Sequence, residues 1–255
     1  MDNLKDLDFY DITPENIESK GIFCIKDKKS PGRKAKIKWF LREYNNGLRM
    51  KIIADQQGKQ LGFIEYTNSE YAWRPVSAKN YIFIHCIGVF VKKAKNQGIG
   101  TYLLNACEEH ACTTNKNGIC VLTSDGSWIA SKALFEKNGY QCVDSSGRFE
   151  LMVKELVDSR ELPFVINWEA QLSSYQGWNL VYSDQCPWNE KSITDLAEVA
   201  KDAGIVMKIK KIEHASDAQK APSGFGVFSL IKDGKLIEDH YISSTRFKNL
   251  LKKNT

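Results

Sequence analysis

The stretch "NYIFIHCIGVFVKKAKNQGIGTYLLNACEEHA", Asn80 to Ala111, decides how this chain folds. Its opening, Asn80–Val91, is almost continuously apolar, β-branched and aromatic, which is the composition of a strand buried on both faces. Its end places Leu103, Leu104, Cys107 and Ala111 at helical spacing. Between the two lies "KNQGIG", Lys95 to Gly100, with two glycines and a basic residue at a strand-to-helix junction. A helix N-terminus presents unpaired N–H groups and the positive end of the helix dipole. Glycine lets the backbone approach an anion closely. Gly98 and Gly100, running straight into Thr101, therefore suit a pyrophosphate, with Lys95 and either Lys92 or Lys93 adding charge. A glycine turn that merely starts a helix is the alternative. The motif is not a dinucleotide fingerprint, because the third glycine is missing, nor a nucleoside-triphosphate loop, because no "GK[S/T]" follows.

Working outward, "LRMKIIAD" (Leu48–Asp55) and "KQLGFIEYT" (Lys59–Thr67) read as two strands joined by a tight turn. Helical material lies before them in "KIKWFLREYNN". After the central stretch come a strand, "GICVLTS", and a helix, "SWIASKALFEKNGY", with Ala130, Leu134 and Phe135 on one face and Asn138-Gly139 as its C-cap. Two further strands, "QCVD" and "RFELMVKEL", follow. The order predicts an α/β (α+β) fold: a mixed sheet with flanking helices.

The polar stretch "VDSRELP" (Val157–Pro163) marks a boundary, dividing the chain into domains of residues 1–157 and 158–255. The second domain begins again with a strand, "NLVYSD". It continues with "QCPWN", a helix "EKSITDLAEVAKDAG", a strand "IVMKIKKI", a hairpin turning at "KDGK", and a closing helix capped by Ser243 or Ser244.

With 255 residues, 42% of them hydrophobic and 26% charged, the composition is that of a globular chain. No apolar run approaches the roughly 20 residues of a membrane span, and the acidic start lacks an export signal. The net charge of +5 sits wholly before residue 161. It suits an anionic small molecule better than a nucleic acid, which needs clustered bases. Seven irregularly placed cysteines fit reduced thiols in the cytoplasm. Cys86, Cys120 and Cys142 fall in apolar strands and are expected in the core. "CEEHAC" has no partner pair at zinc-ligand spacing, so no metal is expected. Oligomeric state is not written in the sequence.

The long strand, the basic-Gly-x-Gly turn and the helix ending "ALFEKNGY" together resemble the GNAT family of acetyl-CoA-dependent N-acetyltransferases. The resemblance spans roughly residues 5–157 and is strongest over 80–142. It implies that the loop Lys95, Asn96, Gln97, Gly98, Ile99 and Gly100, with Thr101, holds the pyrophosphate of coenzyme A. It also implies a splayed central strand in which backbone amides near Ile87, Gly88 and Val89 receive the acetyl carbonyl, as an oxyanion site does. Acetyl-CoA is then the cosubstrate and a small-molecule amine the acceptor. His85, a titratable group in that apolar strand, is the candidate base. The sequence departs from the family at four places: Lys95 stands for Arg or Gln, the spacing from Val89 to Gly98 is one residue longer, Ser127 stands for an asparagine, and Phe135 for a tyrosine that protonates the leaving thiolate. Trp39, Phe40, Tyr44, Tyr71 and Trp73 fall in segments that line the acceptor site in such enzymes.

"YSDQCPWNEK" and "APSGFGVFSLIKDGKLIEDHYIS" resemble the YoaP-like domain of other acetyltransferases, and through it a smaller thioredoxin-like α/β domain. That resemblance makes Cys186, at a helix start that lowers a thiol's pKa, a second candidate catalytic residue. It puts Asn189 where a second cysteine would stand and makes Pro222 a cis proline facing Cys186. Phe135 and Asn189 also leave open another reading, a non-catalytic acyl-CoA-binding or thiol-sensing protein.

Overall fold

A computed structural model describes residues 7–126, 129–158 and 161–253, and the chain divides into two units. The first takes the residues up to Lys26, then Phe40–Ala72 and Val76–Val165; the second takes Asp27–Trp39, Trp73–Pro75 and everything from Ile166.

In the first half of the chain the elements are β1 (Asp8–Ile12), α1 (Ile17–Lys20), α2 (Pro31–Tyr44), β2 (Arg49–Ala54), β3 (Gln60–Asn68), β4 (Val76–Ser77) and β5 (Tyr81–Val89). Then follow α3 (Ile99–Thr113), β6 (Gly118–Thr123), α4 (Ala133–Lys137), β7 (Gln141–Ser146), β8 (Phe149–Glu155) and β9 (Phe164–Val165). The first unit is built on a seven-stranded mixed sheet ordered β1-β2-β3-β5-β6-β8-β7, so the run that opened the sequence reading is its middle strand. β5 and β6 are parallel, which demands a crossover, and α3 supplies it. The face of α3 that carries Leu103, Leu104, Cys107 and Ala111 packs on Ile64, Ile82, Ile84 and Ile87 to form the core.

Four details differ from the sequence reading. The edge strand β1 lies in the stretch read only as an acidic start, and it pairs with β2 from Asp8↔Ala54 to Ile12↔Met50. The helix expected from Ser127 begins only at Ala133. At the end of β6 the Ser124 N–H donates to the Ala130 carbonyl at 3.3 Å. Cys142 is exposed rather than in the core, because β7 is the other edge strand and its register shifts beside that residue. Trp39, Phe40 and Trp73 are fully buried and serve packing. In the second unit Trp39 and Trp73 meet edge to face with ring centroids 5.4 Å apart.

The second unit holds β10 (Trp178–Tyr182), α5 (Asn189–Asp202), β11 (Met207–Lys211), α6 (Ala215–Ala218), β12 (Phe228–Lys232), β13 (Lys235–Glu238) and α7 (Ser244–Lys253). Its sheet is ordered β11-β10-β12-β13. β10 runs parallel to β11 and antiparallel to β12. The expected turn at "KDGK" forms with Asp233 and Gly234 both at positive φ, 46° and 75°, the geometry a two-residue hairpin turn requires. Ser243 is the cap of α7, its hydroxyl accepting from the Arg246 N–H at 3.2 Å. No described peptide bond is cis, so the expectation of a cis Pro222 is corrected: the bond is trans.

Candidate functional site

The middle strand parts from its neighbour. β5 pairs with β6 only from Tyr81↔Gly118 to Ile84↔Val121, whereas its pairing with β3 continues through Ile87↔Ile64, Gly88↔Phe63 and Val89↔Gly62. Beyond Ile84 the ladder with β6 ends while the ladder with β3 runs on, so the two neighbours of β5 part company there. The sequence predicted this splay at Ile87, Gly88 and Val89 only through the family resemblance.

The loop that follows makes one 3-10 turn at Lys92–Ala94 and enters α3 through two left-handed residues, Asn96 at φ 61° and Gly98 at φ 81°. Gly98 is the N-cap of α3. At the start of α3 the Tyr102 N–H donates to the Gly98 carbonyl at 2.9 Å. The N–H groups of Ile99, Gly100 and Thr101 thus precede the helical ladder and are its free donors. Lys92, Lys93, Lys95, Asn96 and Gln97 are exposed around them. Ile99 contributes only its backbone, because its side chain is buried against Gly62. A Cβ on Gly100 would lie 3.1 Å from Leu134 Cδ1, so this glycine lets α3 and the Leu134 segment close on one another. A short, amide-lined, cationic helix start of this kind fits a pyrophosphate.

Beside this end of β5 is a cluster of three rings. Phe23 stacks on Phe63 with centroids 4.9 Å apart, and Phe90 leans on both, at 5.4 and 6.4 Å. Phe90 is 65% exposed. Its ring lies so close over Gly88 that a Cβ there would stand 2.8 Å from its Cζ. These rings come from three separate segments, so no local pattern in the sequence marks them.

His85 occupies a break in the ladder. Glu65 pairs with Cys86 and Tyr66 with Ile84, so His85 is the extra residue of a β-bulge. Its Nδ1 lies 3.5 Å from Oε1 of Glu65, with the two side chains 0% and 1% exposed, and its ring meets Phe83 edge-on at 5.7 Å. Glu65 is absent from the sequence-based candidates, because in an alternating strand it reads as one polar residue among apolar ones.

Phe135 sits in the core, fully buried, its ring edge-on to Tyr140 at 5.4 Å. In this position its ring packs within the core cluster around Leu104 and Cys107. Ser127 lies outside the described residues. The thiols of Cys107 and Cys120 are pushed well up by burial and remain protonated packing groups.

In the second unit, Cys186 is half-buried in the turn between β10 and α5. Gln185 before it accepts from Arg74 Nη1 at 3.3 Å, and the Arg74 guanidinium lies over the Phe225 ring. The carbonyl of Pro187, just after it, presses on the backbone of Gly32 in the first turn of α2. Asn189 is 1% exposed. Its Nδ2 donates to the carbonyls of Ser183 and Val227 at 2.9 and 2.7 Å, which ties the turn to the start of β12.

The family model described as Acetyltransferase (GNAT) domain matches residues 49–142, and the one described as YoaP-like matches residues 207–249. The chain therefore carries a GNAT acetyltransferase domain and, after it, a YoaP-like domain. It is 26% identical over 249 residues to a Bacillus subtilis (strain 168) protein named Uncharacterized N-acetyltransferase YoaP, the match taking in 95% of this chain and 98% of the relative. Among solved structures it is similar to the PaiA N-acetyltransferase of Thermoplasma acidophilum in complex with coenzyme A, at 12% identity and a TM-score of 0.43 over 58% of this chain and 98% of that one. It is also similar to yncA of Salmonella typhimurium with acetyl-CoA, at 13% identity and a TM-score of 0.44 over 62% and 98%.

Proposed function

We propose that the chain transfers an acetyl group from acetyl-CoA to the amine of a small-molecule acceptor. The observation that carries this reading is the parting of β5 from β6 after Ile84, followed directly by the Gly98-capped start of α3. The name of the nearly full-length Bacillus relative supports it. Acetyl-CoA supplies a thioester whose carbonyl carbon accepts the amine. The amides of Ile99, Gly100 and Thr101, with Lys95 and the backbone of Asn96 and Gln97, hold its pyrophosphate. Backbone amides at Ile87, Gly88 and Val89 polarise the acetyl oxygen. His85 takes the amine proton, directly or through one water, as the new C–N bond forms and the C–S bond breaks. Because Phe135 has no proton to give, the departing thiolate is protonated by solvent.

The division at residues 157 and 158 belongs to the same proposal, as does a cytoplasmic setting, which seven free cysteines support. A thioredoxin-like arrangement for the second domain is supported by the β11-β10-β12-β13 order. Cys186 is its thiol, and Asn189 at the second position precludes an internal disulfide.

Calorimetric titration with acetyl-CoA tests the reading. Wild type should bind, and Gly98→Glu, which sets a carboxylate against the pyrophosphate, should not. A folded wild-type chain that binds no acetyl-CoA would remove the acetyltransferase assignment.

A further inference from the structure

We propose that the acceptor carries its amine on an aromatic body, and that Phe90, held over Gly88 by Phe23 and Phe63, receives that body. This rests on the acetyltransferase reading and names the substrate class for it. The register fixes which side of the sheet is meant. Ile64 pairs with Ile87, and both belong to the core that packs on α3. Side chains alternate along a strand, so the neighbouring pair Phe63↔Gly88 faces the opposite side. On that side the rings collect. Phe23 and Phe63 are buried, while Phe90, just past the end of β5, is largely exposed.

A single exposed ring is ordinary on a protein surface. This one is pinned. It is tilted 33° from Phe23 and 45° from Phe63. Its three outermost atoms, Cε1, Cζ and Cε2, all lie 2.8–3.2 Å from where a Gly88 Cβ would stand. Any side chain at position 88 would push the ring away, so the glycine and the ring form one feature. Gly88 is also where the proposed function sets the acetyl carbonyl. An amine that reaches that carbon from this side brings the carbons behind it against the Phe90 ring. A phenylalanine ring offers no conventional hydrogen bond, so a polar acceptor body there would lose water without compensation. A flat apolar body gains instead. It leaves water and adds ring-to-ring attraction beside a pair already stacked, Phe23 on Phe63.

The kcat/KM values of 2-phenylethylamine, ethanolamine and spermidine, read as coenzyme A release, test the class. Wild type should favour 2-phenylethylamine, and Phe90→Ala should lower its kcat/KM relative to ethanolamine by about tenfold. Differences in amine basicity cancel, because the same two amines are compared in both enzymes. Phe90→Tyr keeps a ring and should retain the preference, with thermal unfolding checking that each variant is folded. An unchanged ratio in Phe90→Ala, or a wild-type preference for spermidine, would overturn the proposal. A comparable loss of acetyl-CoA affinity in Phe90→Ala would assign the ring to the cosubstrate and overturn it too. Calorimetric titration of the amide product N-(2-phenylethyl)acetamide into the full-length chain, with coenzyme A present, needs no turnover. It should bind about tenfold more tightly to wild type than to Phe90→Ala. That difference in a chain that acetylates none of the three amines would uphold the aromatic site and refute the acetyltransferase reading. Transfer without the preference would refute the aromatic site alone.

Discussion

Replacing Gly98 by alanine sets a left-handed backbone against the site it shapes. Gly98 has φ 81° and ψ −1° at the N-cap of α3. A Cβ in that region costs about 1–2 kcal/mol, which is about 5- to 30-fold in an equilibrium constant. The strain has two outlets. If the loop keeps its shape, the loss falls on folding, at about 2–4 °C of Tm for each kcal/mol in a unit of this size. If the loop relaxes to a right-handed turn, stability is kept and the amides of Ile99 and Gly100 are displaced, so the loss falls on acetyl-CoA affinity. The two losses together should therefore sum to about 1–2 kcal/mol. Gly98→Asn should show a smaller sum, because asparagine tolerates left-handed backbone better than alanine. Thermal unfolding and calorimetric titration of the same preparations measure both terms. An alanine variant with wild-type Tm and wild-type affinity would refute the claim that this glycine's conformation builds the site.

Two other predictions concern stability. Gly118→Ala should cost about 1–3 kcal/mol, since its Cβ would overlap the Lys154 carbonyl and stand 2.7 Å from Tyr81 Cε1 where β5 and β6 pair; an unchanged urea midpoint would show that β8 yields easily. His110 has its pKa lowered, first by burial and then by Arg49 and Lys51. Below about pH 6.5 the unfolded chain thus takes up a proton that the folded chain resists, and stability should fall as pH drops through that window. Unfolding curves between pH 7 and pH 5 should show His110→Gln with a flatter slope; equal slopes would rule out His110 as the source.

Much of this architecture is legible in local pattern. The apolar run before the glycines is the middle strand, the spacing of Leu103, Leu104, Cys107 and Ala111 is the packed face of α3, and Gly98 is its N-cap. Each of these signals lies within a few residues, where strand and helix periods and turn chemistry operate. Phe135 was harder to place. It lies on a recognisable motif, but whether its ring faces a ligand or the core depends on Tyr140 and the packed sheet. Cys142 likewise reads as a core residue until the strand order makes β7 an edge.

By itself the sequence determined which segments form the central strand and the helix after it, and where the glycine turn that starts α3 lies. Tertiary structure alone decided that β5 leaves β6 after Ile84, that Phe23, Phe63 and Phe90 gather over Gly88, and that a one-residue bulge turns His85 toward Glu65. The reason is physical. A bulge or a splay is a relation between two strands, set by how their registers and side chains fit in three dimensions, and the period-two pattern of either strand alone carries no trace of it.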